Sequence, residues 1–148
     1  MNKNLKYLNE ALRHYIIAER MTYSTFSLIN DKKLLLKVLE EIQKSIINSI
    51  NILNKNILFL KEIKPEMNKK IIKILKKSNF ENDDIEKVIK ILEINKKHKE
   101  SAIEFVRKEK VVIMMDNLKL LTLDINEIKE YIKLAKKIYI KASVYANK

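Results

Sequence analysis

Five lysines within nine residues are the group of side chains in this sequence best suited to chemistry. At helical spacing they fall on one side of a segment, at Lys69, Lys70, Lys73, Lys76 and Lys77. Such a row of ammonium groups can follow a phosphate backbone, and each neutralised phosphate releases a counterion, so binding weakens with salt. The same pattern also fits the solvated side of an amphipathic helix. We expect one of these two roles for this face.

A second basic set lies toward the C-terminus. Only three of the 31 basic residues are arginines, and Arg107 lies with Lys110 where a predicted helix gives way to a predicted hairpin. An arginine there either binds phosphate or stabilises the C-terminus of a helix. The predicted nucleic-acid contacts are therefore Lys69, Lys70, Lys73, Lys76, Lys77, Arg107 and Lys110.

The last predicted helix carries a similar row of lysines with tyrosines between them. The residues are Lys129, Lys133, Lys136, Lys137 and Lys141, with Tyr131, Tyr139 and Tyr145. Tyrosine rings beside a basic row can stack on nucleobases. Tyrosines at this spacing are also typical of packing at the rim of a core, and we favour that second interpretation.

Acidic residues and histidines give no pattern of a metal site. Glu10 and His14 are four residues apart, but a di-iron bundle needs two Glu-x-x-His motifs and neither of the two histidines follows a glutamate at that spacing. We expect no metal and no cofactor. Glu19 falls on an apolar stripe beside Arg20, where we favour a salt bridge at the rim of the bundle. His98 lies among lysines, which predicts a surface loop.

Composition excludes several classes of enzyme. The chain of 148 residues has no glycine, no cysteine and a net charge of +12. Without glycine there is no P-loop, dinucleotide fingerprint or nucleophile elbow, and without cysteine there is no thiolate catalysis or Cys-based zinc site. No serine or carboxylate has the surroundings of a nucleophile or base, so we expect no catalytic residue. An enzyme of a less common class stays an alternative.

Helical periodicity runs through most of the chain. Apolar residues recur every three or four positions and predict helices at about 5–28, 32–63, 66–77, 84–94 and 125–146. The first has its apolar stripe at Leu5, Leu8, Leu12, Tyr15, Ile16, Glu19 and Thr22. Residues 21–27 are rich in β-branched and hydroxyl side chains, so we expect the helix to continue or loosen there. The second would be ~45 Å long and end at Lys64, before Pro65.

The region before the last helix departs from this period. We expect a break at 95–100, then a short helix through Arg107 that begins at Ser101, because Ser101 and Glu104 have capping-box spacing. Residues 111–115 and 120–123 predict a β-hairpin, with Asn117 in a left-handed conformation at its turn. Asp83 and Asp124, each three residues before a glutamate, predict helix caps.

These elements predict a mainly α fold. We expect residues 1–148 to form a single domain, a bundle of four to six helices with a long second helix and one small β-hairpin at about 110–123 before the C-terminal helix. Polar residues interrupt every apolar run, so we expect no membrane segment and a cytoplasmic location.

Two resemblances add to this. Residues 21–28 and 34–42, and then 97–101, 104–107 and 111–114, resemble an uncharacterised family of small archaeal all-helical proteins. The N-terminal helix pair also resembles the HEPN superfamily, helical dimers that often act on RNA. The HEPN nuclease motif places a His four to six residues after an Arg. It is absent, because Arg13 adjoins His14 and neither Arg20 nor Arg107 has such a His.

Two functions fit these observations. The first is a non-enzymatic module that binds RNA or another polyanion through its lysine-rich helix faces. The second is an interaction or scaffold protein with no nucleic-acid role, most simply a homodimer through the long second helix or the free edge of the hairpin. Lysine, isoleucine and asparagine share A/T-rich codons, so the arrangement of the lysines argues for a polyanion more strongly than their number.

Overall fold

Six α-helical segments and three β-strands make up the described part of this computed structural model, residues 3–29, 31–54, 67–100 and 103–147. In chain order the elements are α1 (Lys3–Arg20), a π-helical segment (Met21–Thr25), α2 (Phe26–Ile29), α3 (Leu34–Leu53), α4 (Asn68–Lys77), α5 (Asn82–Lys99), β1 (Ile103–Arg107), β2 (Lys110–Met114), β3 (Leu120–Leu123) and α6 (Ile125–Ala146). The predicted mainly α class, with a small β element before the last helix, is confirmed.

The buried face of α1 consists more of small residues than of the predicted leucine stripe. Ala11 and Ala18 have no exposed surface, and His14 and Thr22 share their face and are buried, whereas Leu5 is 56% exposed. Small side chains let two helix backbones approach closely, and a stripe chosen by hydrophobicity alone overlooks them. The predicted stripe is therefore right only in part: Leu8 and Tyr15 pack against the core and Thr22 is buried, but Leu5 and Leu12 are exposed.

The π-helical segment continues α1 without a break into α2. The Thr22 hydroxyl donates a hydrogen bond of 2.8 Å to the carbonyl of Ala18. A threonine that bonds four residues back competes with the regular helical ladder and loosens it. The hydroxyl-rich residues thus loosen the helix into a π-turn, one of the two outcomes that their composition predicts.

Helix α3 lies at the centre and packs against α1, α4, α5 and α6. It runs antiparallel to α1, and the buried hydroxyl of Ser45 donates to the carbonyl of Ala11 over 2.8 Å. The helix ends at Leu53, because Asn54 is extended with ψ of 106°, so the predicted helix to residue 63 is wrong. Its 20 residues span ~30 Å instead of ~45 Å. Positions 55–66, including Lys64 and Pro65, lie outside the described residues.

Helix α5 continues through the predicted break at 95–100. Asn95 is 2% exposed, and its Nδ2 donates to the Leu39 carbonyl over 3.2 Å and to Gln43 Oε1 over 2.6 Å. These bonds fasten the C-terminal half of α5 to α3, so the break is wrong. The helix also begins earlier than predicted, since its N-cap is Glu81 and not Asp83.

Strand β1 occupies the position of the predicted short helix. It pairs antiparallel with β2 along its whole length, from Ile103 opposite Met114 to Arg107 opposite Lys110. The aromatic and β-branched residues of β1 suit a strand, and pairing with β2 outweighs a capping pattern whose first member, Ser101, lies outside the described residues. The prediction of a helix here is wrong.

The predicted hairpin is confirmed as β2 and β3, the second pair of a three-stranded sheet in the order β1-β2-β3. One face of these strands joins the helical core through Val111, Ile113, Leu121 and Leu123. The left-handed residue of the turn is Leu118, with φ of 64°, and not Asn117 as predicted. Asn117 instead accepts the Lys119 N–H at its side-chain oxygen, over 3.0 Å.

The start of α6 agrees with the predicted cap. Asp124 Oδ1 accepts the backbone N–H of Glu127 over 2.8 Å, and the helix begins at Ile125. Helix α6 packs against α3 and α1. Within the ranges that the structure describes, no helix has both the length and the apolar composition needed to cross a membrane.

Candidate functional site

Helix α4 has two distinct sides, as its sequence predicts. Ile71, Ile74 and Leu75 are buried in the core, and the lysines point outward. Lys69, Lys73, Lys76 and Lys77 are exposed, and Lys70 is half-buried. The core-facing residues therefore fix which way the basic side of α4 points.

The C-terminus of α4 closes in a Schellman motif that contains no glycine. Asn79 takes the left-handed position with φ of 65°, and the Phe80 N–H donates to the Leu75 carbonyl over 3.1 Å. Asparagine tolerates this conformation better than most residues. The buried ring of Phe80 then anchors the loop to the core, and the loop becomes one wall of a cleft.

A cleft of about 990 Å³ opens between α4, the loop that follows it, the end of α3 and the C-terminal half of α6. Its basic lining consists of Lys70, Lys73 and Lys77 from α4 and Lys137 and Lys141 from α6. Its less polar lining consists of Leu53, Ile74, Ile140, Val144 and Tyr145. No carboxylate belongs to the described lining, so the cleft is electropositive over an apolar floor.

The two lysines from α6 are held by the protein itself. Lys137 Nζ lies 2.6 Å from Asp84 Oδ2, and this hydrogen bond raises the pKa of Lys137. Lys141 Nζ donates to the Ser78 carbonyl over 2.8 Å and lies 5.1 Å from the centre of the Phe80 ring. Lys141 thus contributes positive potential from a fixed position, whereas the charge of Lys137 is largely offset by Asp84.

Within the part of the chain that the structure describes, the three lysines from α4 have no such partner. Among the described residues, no carboxylate lies within 4 Å of Lys70, Lys73 or Lys77. They follow one another at i, i+3 and i+7, so Lys70 and Lys77 are ~10 Å apart along the helix axis. Their ammonium groups are available to an anion that enters the cleft.

The structure brings together part of the predicted contact set. Lys69 and Lys76 are exposed on α4 beside the cleft but do not belong to its described lining. Arg107 and Lys110 are exposed at the β1–β2 turn and also do not line the cleft. Nothing in the sequence indicates that lysines of α4 and α6 share one cleft, because two helices so far apart in the chain can pack in many ways.

The tyrosines of α6 differ in position. Tyr131 is 3% exposed in the core, where burial, followed by the charges of Glu127 and Glu130, raises its pKa. Tyr139 is half-buried, and Tyr145 lines the cleft. Tyr131 is therefore too buried to stack on a base, and among these three tyrosines Tyr145 is the one that lines the cleft.

His14 lies in a polar cluster between α1 and α3. Its Nδ1 is 2.5 Å from Glu41 Oε2, and its Nε2 is 3.4 Å from Glu10 Oε2 and 3.2 Å from Arg13 Nη2. The bond between Arg13 and Glu10, 2.8 Å long, lowers the pKa of Glu10. Glu19 does not join this cluster: it is exposed and accepts the Tyr15 hydroxyl over 2.8 Å, so the preferred salt bridge is replaced by a hydrogen bond.

His98 occupies a similar position on the other side of α3. Its Nδ1 is hydrogen-bonded to Glu104 of β1, and its Nε2 lies 3.5 Å from Glu40 of α3. The predicted surface loop is wrong here, because His98 belongs to the last turn of α5 and links that helix to the sheet and to α3. In the described part of the chain, no three His, Asp or Glu side chains are arranged to hold a metal ion.

Comparisons with known proteins add no relative. The chain matches no protein-family model, and neither a curated protein nor a solved structure is significantly similar to it. The resemblances to the archaeal helical family and to HEPN proteins therefore stay predictions.

Proposed function

We propose that this protein is a non-enzymatic RNA-binding module whose contact surface is the lysine-lined cleft of α4 and α6. The observation that carries the proposal is the convergence of five lysines on one cleft whose described lining contains no carboxylate. Opposite charges would attract a polyanion to this surface, and the counterions it releases on binding add to the affinity.

The exposed lysines beside the cleft favour a polymer over a small anion. Lys69 and Lys76 extend the basic surface along α4, and Lys133 and Lys136 extend it along α6. A single phosphate would occupy one or two of these ammonium groups. A nucleic-acid backbone would engage many of them in turn, which is the arrangement that makes such binding strong at low salt.

The test is a titration of a fluorescently labelled RNA, followed by anisotropy, with a variant that changes Lys70, Lys73 and Lys77 to Gln. Three lost phosphate contacts correspond to a change of ~2 in the slope of log affinity against log salt for a single strand. The expected loss at 0.1 M salt is therefore on the order of 100-fold.

A matched control keeps the same net charge. Lys6, Lys37 and Lys119 are exposed on other elements, and their triple change to Gln removes the same three charges from the protein. We expect the control to bind RNA within about 3-fold of the original protein. An equal loss of RNA affinity in the two variants would show that only net charge matters and would contradict the proposal. The absence of RNA binding by the original protein at low salt would also contradict it.

Self-association is a second candidate, supported by β1. This strand is one edge of the sheet, and its Ile103 and Val106 are 66% and 46% exposed. An exposed edge strand with apolar side chains is a template for pairing with another strand. The described part of the predicted long helix, α3, buries most of its apolar residues in the core of its own chain, so the dimer candidate depends on β1. Light scattering measures the mass in solution. A dimer that becomes a monomer in the Val106→Lys variant would support pairing through β1, and a monomeric original protein would contradict it.

A further inference from the structure

The floor of the cleft contains more exposed apolar surface than phosphate binding requires. Ile140 and Val144 are 50% and 57% exposed, one helical turn apart on α6, and Tyr145 follows them. Leu53 and Ile74 lie among the same lining residues. A ligand that covers this floor gains from removing apolar surface from water, whereas a bare phosphate chain gains nothing there.

We propose that the cleft binds single-stranded RNA by taking an unpaired base onto the floor formed by Ile140, Val144 and Tyr145. The neighbouring phosphates then lie against Lys70, Lys73 and Lys77. This inference rests on the proposed function and names the form of RNA that the site selects. Basic grooves with aromatic platforms are the usual means of holding single strands without reading their sequence. Here the platform combines one tyrosine with two aliphatic side chains, which exclude water from the face of a base.

A duplex fits this arrangement poorly. The bases of an RNA helix are stacked inside, and its surface offers phosphates and riboses. A duplex would therefore contact the lysines and leave the floor exposed. An unpaired strand can contact the lysines with its phosphates and the apolar floor with a base at the same time. The ~10 Å between Lys70 and Lys77 along the helix leaves room for more than one phosphate.

A small anionic amphiphile is the alternative occupant of a basic cleft with an apolar floor. The exposed lysines outside the cleft argue against it, because Lys69, Lys76, Lys133 and Lys136 would have no role in holding one head group. The experiment includes oleate as a competitor so that this alternative has its own outcome.

The test compares three probes on one protein: a labelled 12-nucleotide oligouridylate, a 12-base-pair RNA duplex and inorganic polyphosphate as competitor. Oleate is added as a second competitor. The variant changes Ile140 and Val144 to Asn, which removes apolar surface without changing charge. We expect affinity for the single strand to fall about 10-fold, the size of one lost base contact, with the other two probes unchanged.

A matched control changes Leu28 and Leu118 to Asn, since these leucines are 87% and 75% exposed elsewhere. A second variant, Val144→Tyr, adds stacking surface and should tighten single-strand binding several-fold without affecting the duplex. It keeps the inference testable if the double variant unfolds, which circular dichroism detects.

The outcomes separate the two proposals. If the variants at Ile140 and Val144 leave single-strand binding unchanged or change duplex binding equally, either result would contradict the proposed base contact. It would leave the proposed binding of RNA by the lysines intact. If oleate binds to the cleft and RNA does not displace it, the inference is also overturned. If no probe binds at low salt, the proposed function itself fails.

Discussion

The carboxylate of Glu41 lies 2.5 Å from Nδ1 of His14, joining α3 to α1 where the histidine is only 8% exposed. The other ring nitrogen of His14, Nε2, lies 3.4 Å from Glu10 Oε2 and 3.2 Å from Arg13 Nη2, so charged groups face both sides of the ring. The preceding residue, Glu40, faces the second histidine, His98. Consecutive residues of the central helix thus hold both histidines of the chain.

Changing Glu41 to Gln should destabilise the fold. The amide still accepts a hydrogen bond, but the charge-assisted contact is lost and the buried polar cluster is no longer matched, at a cost of about 1–3 kcal/mol. Urea unfolding followed by circular dichroism measures this. The control Glu86→Gln changes an exposed glutamate of α5 and should stay within about 0.5 kcal/mol of the original protein. Equal stability of the two variants would contradict the role given to Glu41.

Changing Leu118 to Gly should stabilise the protein. Leu118 is 75% exposed and has φ of 64°, so it contributes little packing and carries the steric cost of a left-handed backbone. Glycine removes that cost of about 1–2 kcal/mol but gains freedom in the unfolded chain, which leaves a net gain of up to about 1 kcal/mol. A thermal melt checks it, and a melting temperature below that of the original protein would show that the side chain has a packing role.

Changing Asp84 to Asn should strengthen RNA binding. Asp84 holds Lys137 at 2.6 Å, so its neutral form releases one more ammonium group to the cleft. One added phosphate contact steepens the salt slope by ~0.7 and tightens binding about 5-fold at 0.1 M salt. Asp83→Asn is the matched control, because Asp83 pairs with Lys87 at 3.2 Å and neither residue lines the cleft. An equal gain in both variants would assign the effect to overall charge.

Stability should fall between pH 10 and pH 12 in a manner that depends on Tyr15. Burial and then the hydrogen bond to Glu19 raise the pKa of Tyr15 from 10.0 to about 12. Because the folded pKa is the higher one, this contribution is complete below pH 10 and is lost as the pH rises through about 12. Urea unfolding at pH 9, 10 and 11 should show that the free energy of unfolding declines less steeply with pH in Tyr15→Phe than in the original protein. Glu19→Gln should lower the pKa of Tyr15, as seen in a tyrosinate absorbance titration, and an unchanged titration would exclude the Glu19 contact.

Local signals account for what the sequence predicted well. The cap of α6 needs only Asp124 and a residue three positions later, and the β2–β3 hairpin follows from two β-prone runs around a turn pair. The two-sided nature of α4 likewise depends on residues within ten positions. In each case the residues that decide the structure lie close together in the sequence.

Contacts between distant segments account for the errors. β1 is a strand because β2 lies beside it, and Asn95 extends α5 because α3 offers it an acceptor. The stripe predicted for α1 lacks Ala11 and Ala18, because close helix packing selects alanine, which carries little hydrophobic signal. The cleft could not be predicted, since its lysines come from α4 and α6 and only the packing of the whole bundle brings these two helices together.

The π-helical segment Met21–Thr25 determines which side chains of the following helix, α2, face the core. A π-turn holds one residue more than an α-turn, so it offsets the helix that follows by about 100° from the direction a regular helix would give. Phe26 reaches the core at 8% exposure from that offset. Deleting a single residue here should make the helix more regular but lower the stability of the protein, because Phe26 would turn toward solvent. The extra residue of the π-turn therefore lets one uninterrupted helix bury side chains both before and after the turn.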